Sequence, residues 1–448
     1  MKYLLLSLAV LVPVAALSIG LAPRGDARGD AKRRASFISR DHWLAVAIAG
    51  VALMVLTAIF DSLMIHADLF YYADELISGV RIGLAPIEDF AYPIAGVLLL
   101  PALWRMLIKP KPDSGESRAM DVSGSPAMGL SRSPAVDASD LPAVDFSGLP
   151  ASDSGGSRMA IFAKLRALFW ASRPVSWINT AYPFAAAVFL TQREIDALLV
   201  VGTLYYLIPY NLALYGINDV FDYQSDLRNP RKGSIEGALL PPEMHRLTLG
   251  AALVTNVPFL IVFVYLADPL ALMLLAVSTF GLLAYSVPKL RFKERPLLDS
   301  IISSTHFVSP AVVGFALAGA QLTGAQVLIL CAFFLWGMAA HAFGAVQDVM
   351  PDREAGLGSI ATALGAKHTV RIALTLWTTA GVLMLFTPFP GPLGALIAVP
   401  YLINCAPYAR IADEDAYLTN RAWRRFIGLN YFCGFLVTML LIFAVRYG

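Results

Sequence analysis

The chain has 448 residues, of which 57% are hydrophobic and 15% charged, with a formal net charge of +2 at pH 7. Soluble domains carry about 25% charged residues, so this chain is too poor in charge to clothe a water-facing surface. The near-neutral balance, spread over short loops, offers no patch for nucleic acid; Cys331, Cys405 and Cys433 lie in apolar runs without CxxC spacing, so neither a zinc site nor a disulfide framework is expected.

Apolar runs near 20 residues recur along most of the length, each long enough to cross a bilayer as a helix. The expected class is an all-α integral membrane protein. The first three spans cover roughly 2–22, 43–65 and 90–108. The first follows Met1-Lys2 in the manner of a secretory signal. Cleavage would leave the basic run RGDARGDAKRR outside the cell, against the positive-inside bias, so a retained helix is expected. From about 110 to 158 the composition shifts to Pro, Ser, Gly, Ala and Asp, with loose repeats (SPAVD, LPAVD, LPASD) that have no face to bury. This reads as a disordered tether, and about 45 flexible residues reach roughly 35–40 Å. Nine further spans follow, near 174–191, 197–217, 247–266, 269–286, 298–319, 325–345, 370–387, 392–408 and 427–446. The expected organisation is a three-helix bundle at 1–109, a linker at 110–158 and a nine-helix bundle at 159–448.

Lys and Arg mark the cytoplasmic side. In the second bundle they precede the first span (Lys164, Arg166, Arg173) and follow the second (Arg228, Arg231, Lys232), the fourth (Lys289, Arg291, Lys293, Arg295), the sixth (Arg353, Lys367) and the eighth (Arg410, Arg421, Arg424). Arg193 is the main exception. The basic loop 24–40 and the tether also come out cytoplasmic, which puts the N-terminus outside.

The most informative segment is Asn218-Asp219-Val-Phe-Asp222-Tyr-Gln-Ser-Asp226, at the cytoplasmic end of a span. Asn218, Asp222 and Asp226 are four apart and stack on one face of a helix, where like charges repel and a membrane boundary adds desolvation. Divalent cations between the side chains relieve both, and hard oxygen donors suit Mg²⁺. A second acidic pair, Asp348 and Asp352, follows the sixth span in QDVMPDREAGLGS, where Pro351 is expected to break or end the helix. Two clusters on one side can clamp a diphosphate through metal from both flanks. Between them lies Tyr285-Ser-Val-Pro-Lys289-Leu-Arg291, whose Lys289 and Arg291 can neutralise a leaving diphosphate. For a single residue such as Glu294 or Arg295, a solvated helix-end charge is the simpler reading.

NDVFDYQSD resembles the first aspartate-rich motif of the UbiA superfamily of prenyltransferases, DVMPD followed by REAGLGSIATALG resembles the second, and YSVPK resembles the intervening Tyr/Lys motif. The resemblance covers 160–448. It implies a nine-helix bundle around a cavity, two Mg²⁺ ions and ionisation of an allylic diphosphate. It carries Asn218, Asp222, Asp226, Asp348 and Asp352 over as metal ligands, with Lys289, Arg291, Tyr285, Arg228 and Lys232 as diphosphate or substrate contacts. Asp219 points about 100° off the ligand face and ranks lower. Tyr215, Phe221, Tyr223, Tyr285, Trp336 and Phe343 can shelter an allylic cation, although core packing is the ordinary role of each.

SRPVSWINTAYPF (172–184) and LALYGINDVFDYQSDLRNPRKGS (212–234) look most like the lycopene elongases of C50 carotenoid synthesis, which implies dimethylallyl diphosphate as donor and lycopene as acceptor. His306 and His341, in apolar runs, can position water or take a proton from the resulting cation; a satisfied buried histidine is the plainer role. In the first bundle, Arg81-Ile-Gly-Leu-Ala-Pro86-Ile-Glu88-Asp89-Phe90 resembles the small three-helix lycopene cyclase subunits of bacteria. Cyclisation begins with protonation of an alkene, a task for a carboxylic acid at an apolar boundary: Glu88 first, Asp89 second. Capping of the third span is the alternative role for both. Those subunits commonly pair, which implies a second cyclase subunit as partner. The parity above puts Glu88 at the outer face and the aspartates at the inner, so an elongated end has to turn over before cyclising.

The reading is a bifunctional carotenoid enzyme in the cell membrane. A quinone-pathway prenyltransferase with an aromatic acceptor is the alternative enzyme. A transporter is the alternative from another class, opposed by the absence of strong charge in mid-span.

Overall fold

A computed structural model describes residues 2–20, 40–66, 71–107, 157–223 and 239–447. The expected tether, Asp226, Arg228 and Lys232 lie outside the described residues. The chain divides into two compact units, Met1–Pro142 and Ala143–Gly448.

In the first unit, α1 (Lys2–Gly20), α2 (Arg40–His66) and α3 (Ala91–Leu107) correspond to the three expected spans. Between α2 and α3 the signature segment builds a small hairpin. Strands Arg81–Ile82 and Ala85–Pro86 pair antiparallel, and a 3₁₀ turn over Ile87–Phe90 leads into α3. Gly83 turns the hairpin at φ 65°, in the left-handed region open to glycine. A Cβ there would strike the Ser62 hydroxyl of α2, which accepts the Leu84 N–H at 3.0 Å. The hairpin is thereby pinned to α2, with Glu88 and Asp89 at the mouth of α3.

The second unit is helical throughout its described residues. After α4 (Ser157–Ala171) and α5 (Ile178–Gln192) come α6 (Ala197–Leu207) and α7 (Pro209–Phe221), two parts of one span broken at Pro209. Proline lacks the N–H that would close the ladder, and the freed carbonyls need other donors. Buried polar side chains supply them: Asn211 Nδ2 donates to Tyr206 O at 2.8 Å and Thr180 Oγ1 donates to the same oxygen at 2.7 Å. Asn256 Nδ2 donates to Pro209 O at 2.7 Å. Next come α8 (Pro242–Leu266), α9 (Pro269–Ser286), α10 (Leu298–Leu317) and α11 (Gly324–Val346). Short α12 (Val349–Glu354) and α13 (Ile360–Leu364) precede α14 (Ala366–Met384), α15 (Ala398–Cys405) and α16 (Asn420–Tyr447).

Two packed centres hold this unit. One gathers Phe184, Tyr205, Tyr206, Tyr210 and Phe263 from α5 to α8, and the other gathers Phe343, Trp377, Tyr401 and Phe426 from α11 and α14 to α16. Outward faces stay apolar, with Tyr265 88%, Phe386 72% and Ile403 70% exposed. Apolar surface on that scale suits acyl chains rather than water. Among the described residues, seven helices or helix pairs are long and apolar enough to cross a membrane. The other expected spans fall short for local reasons: α5 has 15 residues, and the span expected at 392–408 is a 3₁₀ turn over Gly391–Ile397 followed by the eight-residue α15.

Pro351 does not end a helix. The break falls earlier, at Gln347–Asp348, and Pro351 sits in the first turn of α12, where its missing N–H costs nothing.

Candidate active site

The first acidic motif closes α7. Asn218 is in the last turn, and Asp222 is the C-cap at φ −95° and ψ −2°, so the regular helix is interrupted at Asp222. What faces these residues is the loop after α9. It carries left-handed backbone at Lys289 (φ 76°), Arg291 (φ 39°) and Leu297 (φ 73°), none of them glycine. Such conformations are costly and persist where the surroundings hold them.

The strained loop turns cations onto the motif. Lys293 Nζ donates to Asn218 Oδ1 at 2.9 Å and to Asp222 Oδ2. Arg291 Nη2 donates to Asp222 Oδ1 at 3.1 Å and pairs with Glu294 at 2.7 Å. Ser286 Oγ, at the end of α9, donates to Asn218 Oδ1 at 2.9 Å. Burial pushes the Lys293 ammonium down from its ordinary range, and the Asp222 carboxylate pulls against it. Lys289, the expected contact in this loop, is exposed. Sequence spacing favoured Lys289 because it completes the Tyr/Lys motif; nothing in the spacing shows that the chain reverses at Arg291.

Asp219 is buried away from this face. It accepts from Arg173 Nη2 at 3.0 Å, and that guanidinium lies 4.4 Å from the Tyr215 ring centroid. Arg173 was a topology marker in the sequence; here it anchors the back of the motif.

The second acidic segment docks on the same loop. Leu357 N–H donates to Asp352 O at 2.8 Å, and Gly358 lies directly against the Glu294 backbone carbonyl, where any Cβ would clash. Two residues on, Ile360 N–H donates to Asp299 Oδ2 at 2.7 Å. Asp348 and Asp352 are half-buried beside this junction. The segment 291–299 therefore meets the first motif through Arg291 and Lys293, and the chain just after the second motif through Glu294 and Asp299. Among the described residues, no three His, Cys, Asp or Glu side chains converge on one point. The donor chemistry nonetheless fits a hard cation: Asn218 Oδ1 and Asp222 Oδ2 already converge on one positive atom, Lys293 Nζ.

The aromatic candidates separate. Tyr285 is edge-on to His306 with centroids 5.2 Å apart, and Tyr215 lies under Arg173. Trp336 and Phe343 belong to the second packed centre, against Tyr401, Trp377 and Phe426.

Residues 180–443 match the UbiA prenyltransferase family. The chain belongs to that family. Its similarity to the C(50) beta-cyclic carotenoids biosynthesis protein LbtBC of Dietzia sp. (strain CQ4) is 46% identity, over 99% of this chain and 98% of that one. A lycopene elongase/hydratase of Corynebacterium glutamicum is 47% identical over 62% of this chain and 97% of its own length. A solved UbiA homolog from Archaeoglobus fulgidus bound to DMAPP and Mg²⁺ is 16% identical, covering 59% of this chain and 98% of its own, with a TM-score of 0.45, too distant to carry an argument. The reaction class of the second unit is thus prenyl transfer in a multi-pass membrane protein.

The hairpin of the first unit holds a second cluster. Glu88 is 7% exposed; its Oε1 accepts the Ser78 N–H at 2.5 Å. Burial opposes ionisation of Glu88, but the backbone hydrogen bonds outweigh it and hold the carboxyl below its usual range. Asp89 accepts from the Tyr72 hydroxyl at 2.5 Å and lies within electrostatic reach of Asp61, a buried carboxyl in the body of α2. Burial and the nearby Glu88 charge push Asp89 up against the pull of its hydrogen bonding. Two acidic groups so placed disfavour double ionisation, so one of them tends to keep its proton. A lone aspartate 28 residues before Asp89 carries no spacing signal, so nothing in the linear chain marks Asp61.

Proposed function

We propose that this protein transfers dimethylallyl groups from the diphosphate to the ends of lycopene, and that its first unit takes part in closing rings on carotenoid ends. The observation that carries the reading is similarity along both units at once: the whole chain parallels a relative named for cyclic C50 carotenoids, while relatives named lycopene elongase/hydratase parallel the second unit alone.

In the transferase, Asn218, Asp222, Asp226, Asp348 and Asp352 would hold Mg²⁺, which supplies positive charge to a departing diphosphate. Arg291 and Lys293 add counter-charge from the loop. The C–O bond breaks with its electron pair going to diphosphate. The terminal alkene of lycopene then gives its π pair to the new C–C bond, which leaves a tertiary cation. Tyr285, the residue before Ser286, offers an aromatic face that favours cationic carbon over water.

In the first unit, the proton donor is the Asp89–Asp61 pair with Tyr72 on its flank, and Glu88 braces the hairpin through Ser78. A second three-helix subunit completes the cyclase. The transferase site faces the cytoplasm.

The test is expression in a lycopene-making host with and without a partner cyclase subunit. Acyclic C45 and C50 carotenoids are expected from the chain alone, and cyclic ones with the partner. Unaltered lycopene alongside a prenylated hydroxybenzoate would point instead to the aromatic-acceptor enzyme.

A further inference from the structure

Asp222, Arg291 and Lys293 lie at the end of the bundle, and a histidine lies deeper in it. His306 lies on α10, which starts at Leu298, so it sits eight residues into the helix, roughly 12 Å along its axis. The ring is 3% exposed. Its Nδ1 is 3.4 Å from the Tyr210 hydroxyl, and Tyr285 packs against it edge-on. Helical side chains lean toward the N-terminus. α10 begins at the acidic end of the bundle and α9 finishes there, so His306 leans toward that end and Tyr285 leans away from it. Tyr285, which meets the His306 ring, is the chain neighbour of Ser286, whose hydroxyl donates to Asn218.

The other ring nitrogen, Nε2, is buried and has no hydrogen-bond partner. Buried polar atoms are almost always paired, and leaving one unmatched is costly. A histidine kept only for packing would be better replaced by an apolar residue. An imidazole that must accept a proton from substrate needs this arrangement: Nδ1–H directed at Tyr210 and the Nε2 lone pair open.

Resting on the transferase reading, we propose that His306 Nε2 is the base that ends each prenyl transfer. Once the C–C bond has formed, the tertiary cation loses a proton from an adjacent carbon to Nε2, and the C–H electron pair becomes a new double bond. Alternatively, water adds its lone pair to the cation and gives its proton to the same nitrogen. Either route leaves a neutral product and an imidazolium. His341, on the neighbouring α11, is half-buried with its Nε2 3.7 Å from Asp299 Oδ2. The competing base is the departed diphosphate.

The experiment uses the full chain in membranes with lycopene, dimethylallyl diphosphate and Mg²⁺. His306→Gln should lower product formation at least tenfold and change the ratio of hydroxylated to unsaturated ends. Binding of the unreactive dimethylallyl thiolodiphosphate should stay within twofold of wild type. His306→Ala, assayed with and without added imidazole, separates chemistry from packing: rescue by several fold is expected of a missing base. Wild-type rate and product ratio in His306→Gln would overturn the proposal in favour of diphosphate as base. Activity lost together with analogue binding, and not restored by imidazole, would overturn it in favour of a packing role. If the wild-type chain itself extends no lycopene, the transferase reading has failed, not the assignment of the base within it.

Discussion

The ammonium of Lys293 rests on the carboxylate of Asp222, and the same nitrogen reaches the Asn218 amide oxygen at 2.9 Å. The loop that delivers it is held in left-handed backbone at Arg291, so the contact belongs to the fold rather than to a chance rotamer. A cation built into the chain thus stands where two oxygens proposed to hold metal converge.

Removing that cation should separate metal binding from turnover. In Lys293→Met the site gains net negative charge, so half-saturating Mg²⁺ should fall. The leaving diphosphate loses a counter-charge, so kcat should fall at least tenfold. A Mg²⁺ titration of product formation reads both; unchanged values would mean that Lys293 only covers the motif.

The first motif and the chain just after the second both meet the segment 291–299, and both motifs are proposed to hold metal, so each should be indispensable. Asp222→Ala and Asp352→Ala should each abolish elongation while the protein still inserts into membranes. EDTA should do the same reversibly. Near-normal activity in either variant would remove that motif from the ligand set.

The chain divides near Pro142, and the second unit holds both packed centres of the transferase half. Residues 143–448 expressed alone should therefore convert lycopene to acyclic C45 and C50 products. A stable, inserted but inactive fragment would show that the units depend on each other.

Ring closure should distinguish the carboxyl groups of the hairpin. Asp89→Asn removes an acidic group and should abolish cyclic product while elongation continues. Glu88→Gln keeps an oxygen for the Ser78 N–H and should cost less. A general acid works only while protonated, and burial raises Asp89 above the ordinary carboxyl range. Cyclisation should therefore persist at pH values where a normal carboxyl has ionised and fail as pH rises through the raised value. Loss of rings in Glu88→Gln with retention in Asp89→Asn would return the assignment to Glu88.

A last expectation concerns stability. Asp413 accepts the Ala366 N–H at 2.7 Å at the start of α14 and Arg353 Nη1 at 2.6 Å. Burial raises this carboxyl, but the two bonds and the Arg353 charge hold it below its usual value. Such a group stabilises the fold above its unfolded pKa of about 3.9, and the contribution is lost as pH falls toward the lower folded value. Asp413→Ala should cost about 1 kcal/mol, the typical worth of a helix-start contact. Faster thermal inactivation of elongation at pH 7, with the difference from wild type vanishing in acid, is the expected record.

Much of this protein can be read from the linear chain. Hydropathy over 20 residues is a local property, and most expected spans agree with helices to within a few residues. Asn218, Asp222, Asp348 and Asp352 were visible because four-residue spacing is also local. Other features depend on segments far apart in sequence. That Lys293 reaches Asn218 and Asp222 follows from left-handed backbone at Arg291 that no composition predicts. Asp61 reaches Asp89 because Gly83 lets the hairpin close on α2. The unpaired nitrogen of His306 exists because α7 and α9 bring Tyr210 and Tyr285 against the ring on α10 and bring no polar partner to Nε2. Spans and motifs arise from what each residue prefers of its own surroundings. Which charge meets which carboxylate depends on loop geometry and helix contact, and those energies exist only once the chain has folded.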